Sequence, residues 1–285
     1  MALNFRPYRS VLYIPGSNTR ALEKARNLPV DAIIFDLEDA VTADEKTNAR
    51  GVLVAELAAG GYGERACLVR VNGLETEWGN DDLAAFAGAA IDGILLPKMN
   101  SAADVDAIAG KVADVPLWAM IETPLGVLNS ADIAAHPRIA GLVMGTNDLA
   151  KELGSRTVID REPLLMSLQM ALLGARAAGI VCVDGVFNAF KDTDGLRVEC
   201  EQGRDLGFDG KTLIHPAQIE IANAVFAPSE AEVDLARRQI AAFEEARAQG
   251  KGVAVVDGQI VENLHIETAR ALLDKLDAIN ANRRD

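Results

Sequence analysis

Solid runs of apolar, often β-branched residues recur along the chain. Each is closed by a glycine, a proline or a polar residue and followed by a stretch with helical spacing. Val11–Ile14 is the first, closed by Pro15-Gly16, and Ser17 or Asn18 can cap the helix that runs on through Leu22 and Ala25. Ala32–Phe35 is the second; it ends in Asp36-Leu-Glu38-Asp39, ahead of a helix to about Ala58. Cys67–Val71, Gly93–Leu96, Leu117–Ile121, a run opening at Gly141, Val181–Asp184 and Thr212–Ile214 bring the set to eight, with Ala102–Val112 read as the helix after the fourth. Runs that are apolar throughout, rather than alternating, fit parallel strands covered on both faces.

The polar residues that end these runs are Asp36, Arg70, Lys98, Glu122, Asp148, Asp184 and His215, separated by 34, 28, 24, 26, 36 and 31 positions. A period of that size marks repeated βα units, and eight of them predict a closed α/β barrel of the (β/α)8 TIM type. The rival is an open doubly wound sheet, but the chain carries no GxGxxG turn. Beyond the eighth run the pattern changes to a charged helix over Ala231–Gln249, a strand-like Val253–Val256, a turn at Asp257-Gly258 and a helix over Ile266–Ala281. The expected organisation is a catalytic barrel over 1–228 and a C-terminal helical extension or lid over 229–285.

With 285 residues and 49% hydrophobic content, the chain can bury a large single core. Its net charge of −14 argues against nucleic acid or an anionic membrane as a partner, though a local basic site can still take an anionic ligand. No apolar run approaches the ~18 residues of a membrane span, and no signal-peptide core opens the chain. Cys67, Cys182 and Cys200 are odd in number and widely spaced, as expected for reduced core thiols of a cytoplasmic protein.

In a barrel of this kind the active site lies at the C-terminal strand ends. Glu122 and Asp148, 26 positions apart, then belong to neighbouring units and share one rim. Two hard oxygen ligands with no His or Cys beside them suit Mg²⁺ better than zinc or copper. Arg70 stands in a buried strand and must be paired: either in a salt bridge to Asp36, Glu38 or Asp39, or as a bidentate clamp on a substrate carboxylate. Of the three crowded acids, one can orient Arg70 or bond a metal-bound water and another can cap the next helix. Arg20 and Lys24, after Pro15-Gly16-Ser17, are a weak phosphate signal at a helix N-terminus. His215, before Pro216, reads as a helix-start or rim residue.

Taken together, Arg9-Ser-Val-Leu-Tyr-Ile-Pro-Gly16, Asp36-Leu-Glu-Asp-Ala-Val41, Arg70-Val-Asn72, Leu96-Pro-Lys98, Ile121-Glu-Thr-Pro-Leu-Gly-Val127, Asp148-Leu-Ala-Lys-Glu-Leu-Gly154 and Gly207-Phe-Asp-Gly-Lys-Thr-Leu-Ile-His-Pro216 resemble the citrate lyase β-subunit-like (HpcH/HpaI aldolase/citrate lyase) family of CoA-ester lyases, in family order over nearly the whole chain. The resemblance implies Mg²⁺, with Mn²⁺ as a substitute, on Glu122 and Asp148. It implies Arg70, with Glu122, on the substrate acid, and CoA as part of the substrate across the barrel mouth, with Tyr13, Arg20 and Lys24 as the contacts. A homotrimer or homohexamer is also implied. Thr146–Ser155 and Val255–His265 are most similar to the branch that hydrolyses (3S)-malyl-CoA to malate and CoA. The alternatives are retro-Claisen cleavage of malyl-, β-methylmalyl- or citramalyl-CoA, and the role of a citrate lyase β chain acting on an acyl-carrier protein.

One position departs from the family. Where many of its lyases carry a tail aspartate that serves a neighbouring subunit as acid/base, this chain has Glu262. The longer arm moves the carboxylate by about one C–C bond, which favours attack by water over proton transfer at carbon. The catalytic candidates are therefore Glu262, Asp36, Glu38 and Asp39.

Overall fold

Eight parallel strands close on themselves in sequence order. They are β1 (Ser10–Pro15), β2 (Ala32–Asp36), β3 (Ala66–Arg70), β4 (Gly93–Leu96), β5 (Leu117–Ile121), β6 (Ile139–Met144), β7 (Val181–Asp184) and β8 (Gly210–Leu213), with β8 paired back to β1. The structure, a computed structural model, describes residues 6–112, 114–156 and 160–281. The apolar runs mark all eight strands; those of β4, β5 and β7 match at both ends, and the others miss by one or two residues, because an edge set by hydrogen bonding need not coincide with an edge set by hydropathy.

The two-residue period of a strand divides these runs between two cores. Ala32, Ile34, Leu68, Leu95, Trp118 and Val143 form one cluster, inside the barrel; Ile33, Phe35, Val69, Ile94, Ile121 and Leu142 belong to another, under the surrounding helices. Trp118 fills the interior because both flanking strands present glycine beside it. A Cβ on Gly93 would come within 2.7 Å of the indole, and one on Gly141 within 2.4 Å. Counting on by two from Val11, Ile34, Leu68 and Met120 reaches Tyr13, Asp36, Arg70 and Glu122. The inward phase of four strands thus ends in polar groups at one rim.

Asp184 ends β7 as the apolar run predicts, but on the other phase. It points away from the interior, into a buried ionic cluster with Arg161 (2.8 Å), Lys211 (3.3 Å) and, through Lys211, Glu199 (2.6 Å). Asp148, expected at a strand end, lies instead in the first turn of the helix Thr146–Leu153, which corrects the sequence reading. His215 caps the short helix Pro216–Gln218, its Nδ1 accepting from the Ala217 amide at 3.1 Å.

Compact units divide the chain at Phe226/Ala227, with the barrel in Tyr8–Phe226. The later unit holds the helix Glu230–Ala248, opened by a Ser229/Glu232 capping box, a hairpin of β9 (Ala254–Val256) and β10 (Gln259–Val261), and the helix Asn263–Ala281. Asp257 and Gly258 turn the hairpin with positive φ of 51° and 77°, the combination a tight two-residue turn requires. Asp257 also pairs with Arg238 at 2.8 Å, a structural reason for a polar residue there. Sequence pattern misses β10 because it is three residues long with only Val261 buried. No helix among the described residues is long and apolar enough to cross a membrane.

Candidate active site

A cavity of about 270 Å³ opens at the C-terminal rim of the barrel, walled by Tyr13, Asp36, Asp39, Arg70, Met120, Glu122 and Asp148, among others. Six of the residues singled out in the sequence therefore meet in one place. Arg70 organises it. Its Nε and Nη2 grip both oxygens of Asp36 at 2.7 Å each, and Asp36 also accepts the amides of Glu38 and Ala40. The salt bridge to Asp36 is present, with Asp36 as the orienting partner of Arg70. The remaining nitrogen, Nη1, lies 2.8 Å from Glu38 Oε2 and 3.2 Å from Asp39. The Glu38 contact is off the N–H axis, so that buried oxygen is ion-paired without a hydrogen bond. The guanidinium carbon sits 5.0 Å from the centroid of the Tyr13 ring, a cation–π contact.

Glu122 follows directly on β5 and is almost fully buried. Its Oε1 accepts the Lys98 amide at 2.8 Å. Gly145 makes room for it, since a Cβ there would come within 2.5 Å of Oε2. Burial pushes the Glu122 carboxyl up to about 7, against the opposing pull of the Lys98 amide and Arg70. Burial likewise raises Glu38 to about 7 despite Arg70 beside it. The Tyr13 phenol is pushed up by its burial, so it stays a hydroxyl donor. Five acidic groups (Asp36, Glu38, Asp39, Glu122, Asp148) thus lie near three cations, Arg70, Lys98 and Lys46, an excess of acid that a bound cation would offset.

The donor chemistry fits Mg²⁺. Among the described residues no group of three or more His, Cys, Asp or Glu could form a full protein cage. Two carboxylates, Glu122 and Asp148, with the other positions left to water and ligand oxygens, is the way Mg²⁺ is commonly held.

Arg20 and Lys24 lie on the helix Thr19–Ala25, both exposed. Glu262 is exposed at the start of the helix Asn263–Ala281; its amide donates to His265 Nδ1 at 3.2 Å and its carbonyl accepts from the His265 amide at 2.9 Å. One residue of the site was not singled out by sequence, and one backbone conformation could not be. Met120 is legible in hindsight as the inward residue two before Glu122. Lys98 has a left-handed backbone (φ 50°), for which a lysine codon gives no signal.

Comparison with known proteins bears on this geometry. A family model described as HpcH/HpaI aldolase/citrate lyase matches residues 9–216. The chain is 66% identical over 281 residues to a (3S)-malyl-CoA thioesterase of Cereibacter sphaeroides, covering 99% of each. It is 37% identical over 271 residues to the citrate lyase subunit beta of Leuconostoc mesenteroides subsp. cremoris, covering 91% of this chain and 90% of that one. In structure it is similar to CitE from Mycobacterium tuberculosis in complex with magnesium, acetoacetate and coenzyme A. The TM-score is 0.82 at 29% identity, over 96% of this chain and 100% of that one.

Proposed function

The chain belongs to the HpcH/HpaI aldolase/citrate lyase family, and from that premise we propose that it hydrolyses the thioester of (3S)-malyl-CoA to malate and CoA with the help of Mg²⁺. One observation carries the choice of substrate: identity of 66% extends over 99% of both chains with the malyl-CoA thioesterase, so it includes the tail as well as the barrel. Glu122 and Asp148 hold the cation. When bound, Mg²⁺ supplies a Lewis acid for the hydroxyl and carboxylate oxygens of the malyl group. Arg70, with its Nε/Nη2 edge committed to Asp36, directs Nη1 to the substrate carboxylate, and Glu38 and Asp39 flank that nitrogen. Tyr13, Arg20 and Lys24 receive the CoA moiety, the two exposed cations meeting its phosphates. Glu262, contributed by the tail of a neighbouring protomer in a homotrimer or homohexamer, takes a proton from water as the oxygen attacks the thioester carbon. It then returns that proton to the departing CoA sulfur.

The reading is tested first by substrate form. Purified protein alone should release CoA thiol from free malyl-CoA in the presence of Mg²⁺. Turnover confined to a thioester on an acyl-carrier protein would point instead to the work of a citrate lyase β chain.

The elevated Glu122 carboxyl gives a second test. Proton and cation compete for the same oxygens, so Mg²⁺ affinity should be full above pH 7. It should weaken about tenfold per unit as the pH falls below the carboxyl's value of about 7. Calorimetric titration between pH 5.5 and 8 reads this directly; an affinity flat across that range would show that no carboxyl titrating near 7 holds the cation.

A further inference from the structure

Among the described residues only three other than glycine adopt a left-handed backbone: Lys98, Arg161 and Asp257. Asp257 turns a hairpin. Lys98 makes no such turn; it follows β4, and its amide donates to Glu122 Oε1 at 2.8 Å. A side chain in this conformation is strained, and such strain persists only where the surroundings impose it.

Asn100 ties down the Lys98 carbonyl. Its Nδ2 donates to the Lys98 carbonyl at 3.0 Å. Its Oδ1 accepts the Thr123 hydroxyl in a short hydrogen bond, and that hydroxyl in turn accepts the Gly126 amide at 2.9 Å. The Lys98 carbonyl can only accept, which fixes which end of the Asn100 amide faces it. The Asn100 main chain is held as well, its carbonyl accepting from Asn129 Nδ2 at 2.8 Å and its amide donating to Asp104 at 3.0 Å. Asn100 thus bridges the loop after β4 to Thr123, the residue that follows Glu122.

We infer that Asn100 is a positioning residue for Glu122: it holds Lys98 left-handed, so that the Lys98 amide pins Oε1 of Glu122 and leaves Oε2 to the cation. The inference rests on the assignment of Glu122 as a Mg²⁺ ligand. It adds a partner one step removed, of the kind whose loss typically weakens metal binding 10- to 100-fold.

The test is direct Mg²⁺ titration by calorimetry at pH 8, without turnover, on the parent, Asn100→Ala, Lys98→Gly, the double variant and Glu122→Gln. Asn100→Ala should weaken Mg²⁺ by 10- to 100-fold, because Lys98 relaxes to an ordinary backbone and its amide leaves Glu122. In the Lys98→Gly background the same change should cost much less, since glycine adopts the left-handed conformation without the clamp. A residue that merely stabilised the loop would lower the melting temperature and leave the affinity alone, or would lose equally in both backgrounds; either result overturns the inference. Should Asn100→Ala fail to fold, Thr123→Val removes the hydroxyl that holds Asn100 and carries the same expectation. If Glu122→Gln binds Mg²⁺ as tightly as the parent, the ligand assignment itself is wrong and the inference falls with it. If Glu122→Gln binds weakly but Asn100→Ala binds like the parent, only the positioning role is lost.

Discussion

Asp148→Asn is expected to abolish Mg²⁺-dependent turnover, lowering kcat/KM by about 10³-fold, while the barrel stays folded. The substitution keeps the shape and one oxygen but removes one of the two charges that can face the cation. With Glu122 as the sole remaining charged ligand, Mg²⁺ no longer has enough negative charge to shed part of its hydration shell. The cost to the fold is small. Asp148 stabilises the start of the helix Thr146–Leu153 by its charge, worth about 0.3–1 kcal/mol at such a position. Against this, it repels Glu122, and its charge helps to push that carboxyl up. Metal-free Asp148→Asn should therefore melt close to the parent. Parent-like activity in this variant would remove Asp148 from the site.

Glu262→Gln is expected to suppress malate formation by ~10²–10⁴-fold with Mg²⁺ affinity and substrate binding largely kept, as for loss of a positioned acid/base. The glutamine matches the glutamate in size and cannot take the proton from water. Within its own unit Glu262 is exposed, its main chain fixed by His265 and its side chain at the start of a helix. A site shared between protomers makes a sharper statement than loss alone. Mixing Glu262→Gln chains with Asp148→Asn chains should restore part of the activity, because one intact combination of Asp148 and Glu262 can assemble in a mixed oligomer. If verified subunit exchange restores nothing, Glu262 does not act across protomers.

The barrel was legible because buried parallel strands demand solid apolar runs, and the period of those runs counts the βα units. Arg70 and Glu122 could be read from the same logic, as charges at the ends of strands too apolar to carry them idly. Asp184 looked the same from sequence and is not: an apolar run hides which face each residue takes, and only the inward alternation of Trp118, Met120 and Glu122 separates the cavity from the outer ionic cluster with Arg161 and Lys211. Asp148 was recognisable as an acid one unit after Glu122, but its place in a helical first turn depends on Gly145 ending β6 early. Which acid takes the Arg70 fork could not be read either, because Asp36, Glu38 and Asp39 are equally near in sequence and only geometry gives it to Asp36. The strained Lys98 and its tie to Asn100 had no sequence signal, since the tie is a hydrogen bond from another residue's side chain.

The most direct test of the account is a product balance. Purified protein with (3S)-malyl-CoA and Mg²⁺ is assayed in parallel for free CoA thiol, malate and glyoxylate, with and without a chelator. Hydrolysis predicts thiol and malate in equal amounts, little glyoxylate, and loss of both products when the metal is removed. Glyoxylate with acetyl-CoA in place of malate and free thiol would contradict it and make the chain a carbon–carbon lyase.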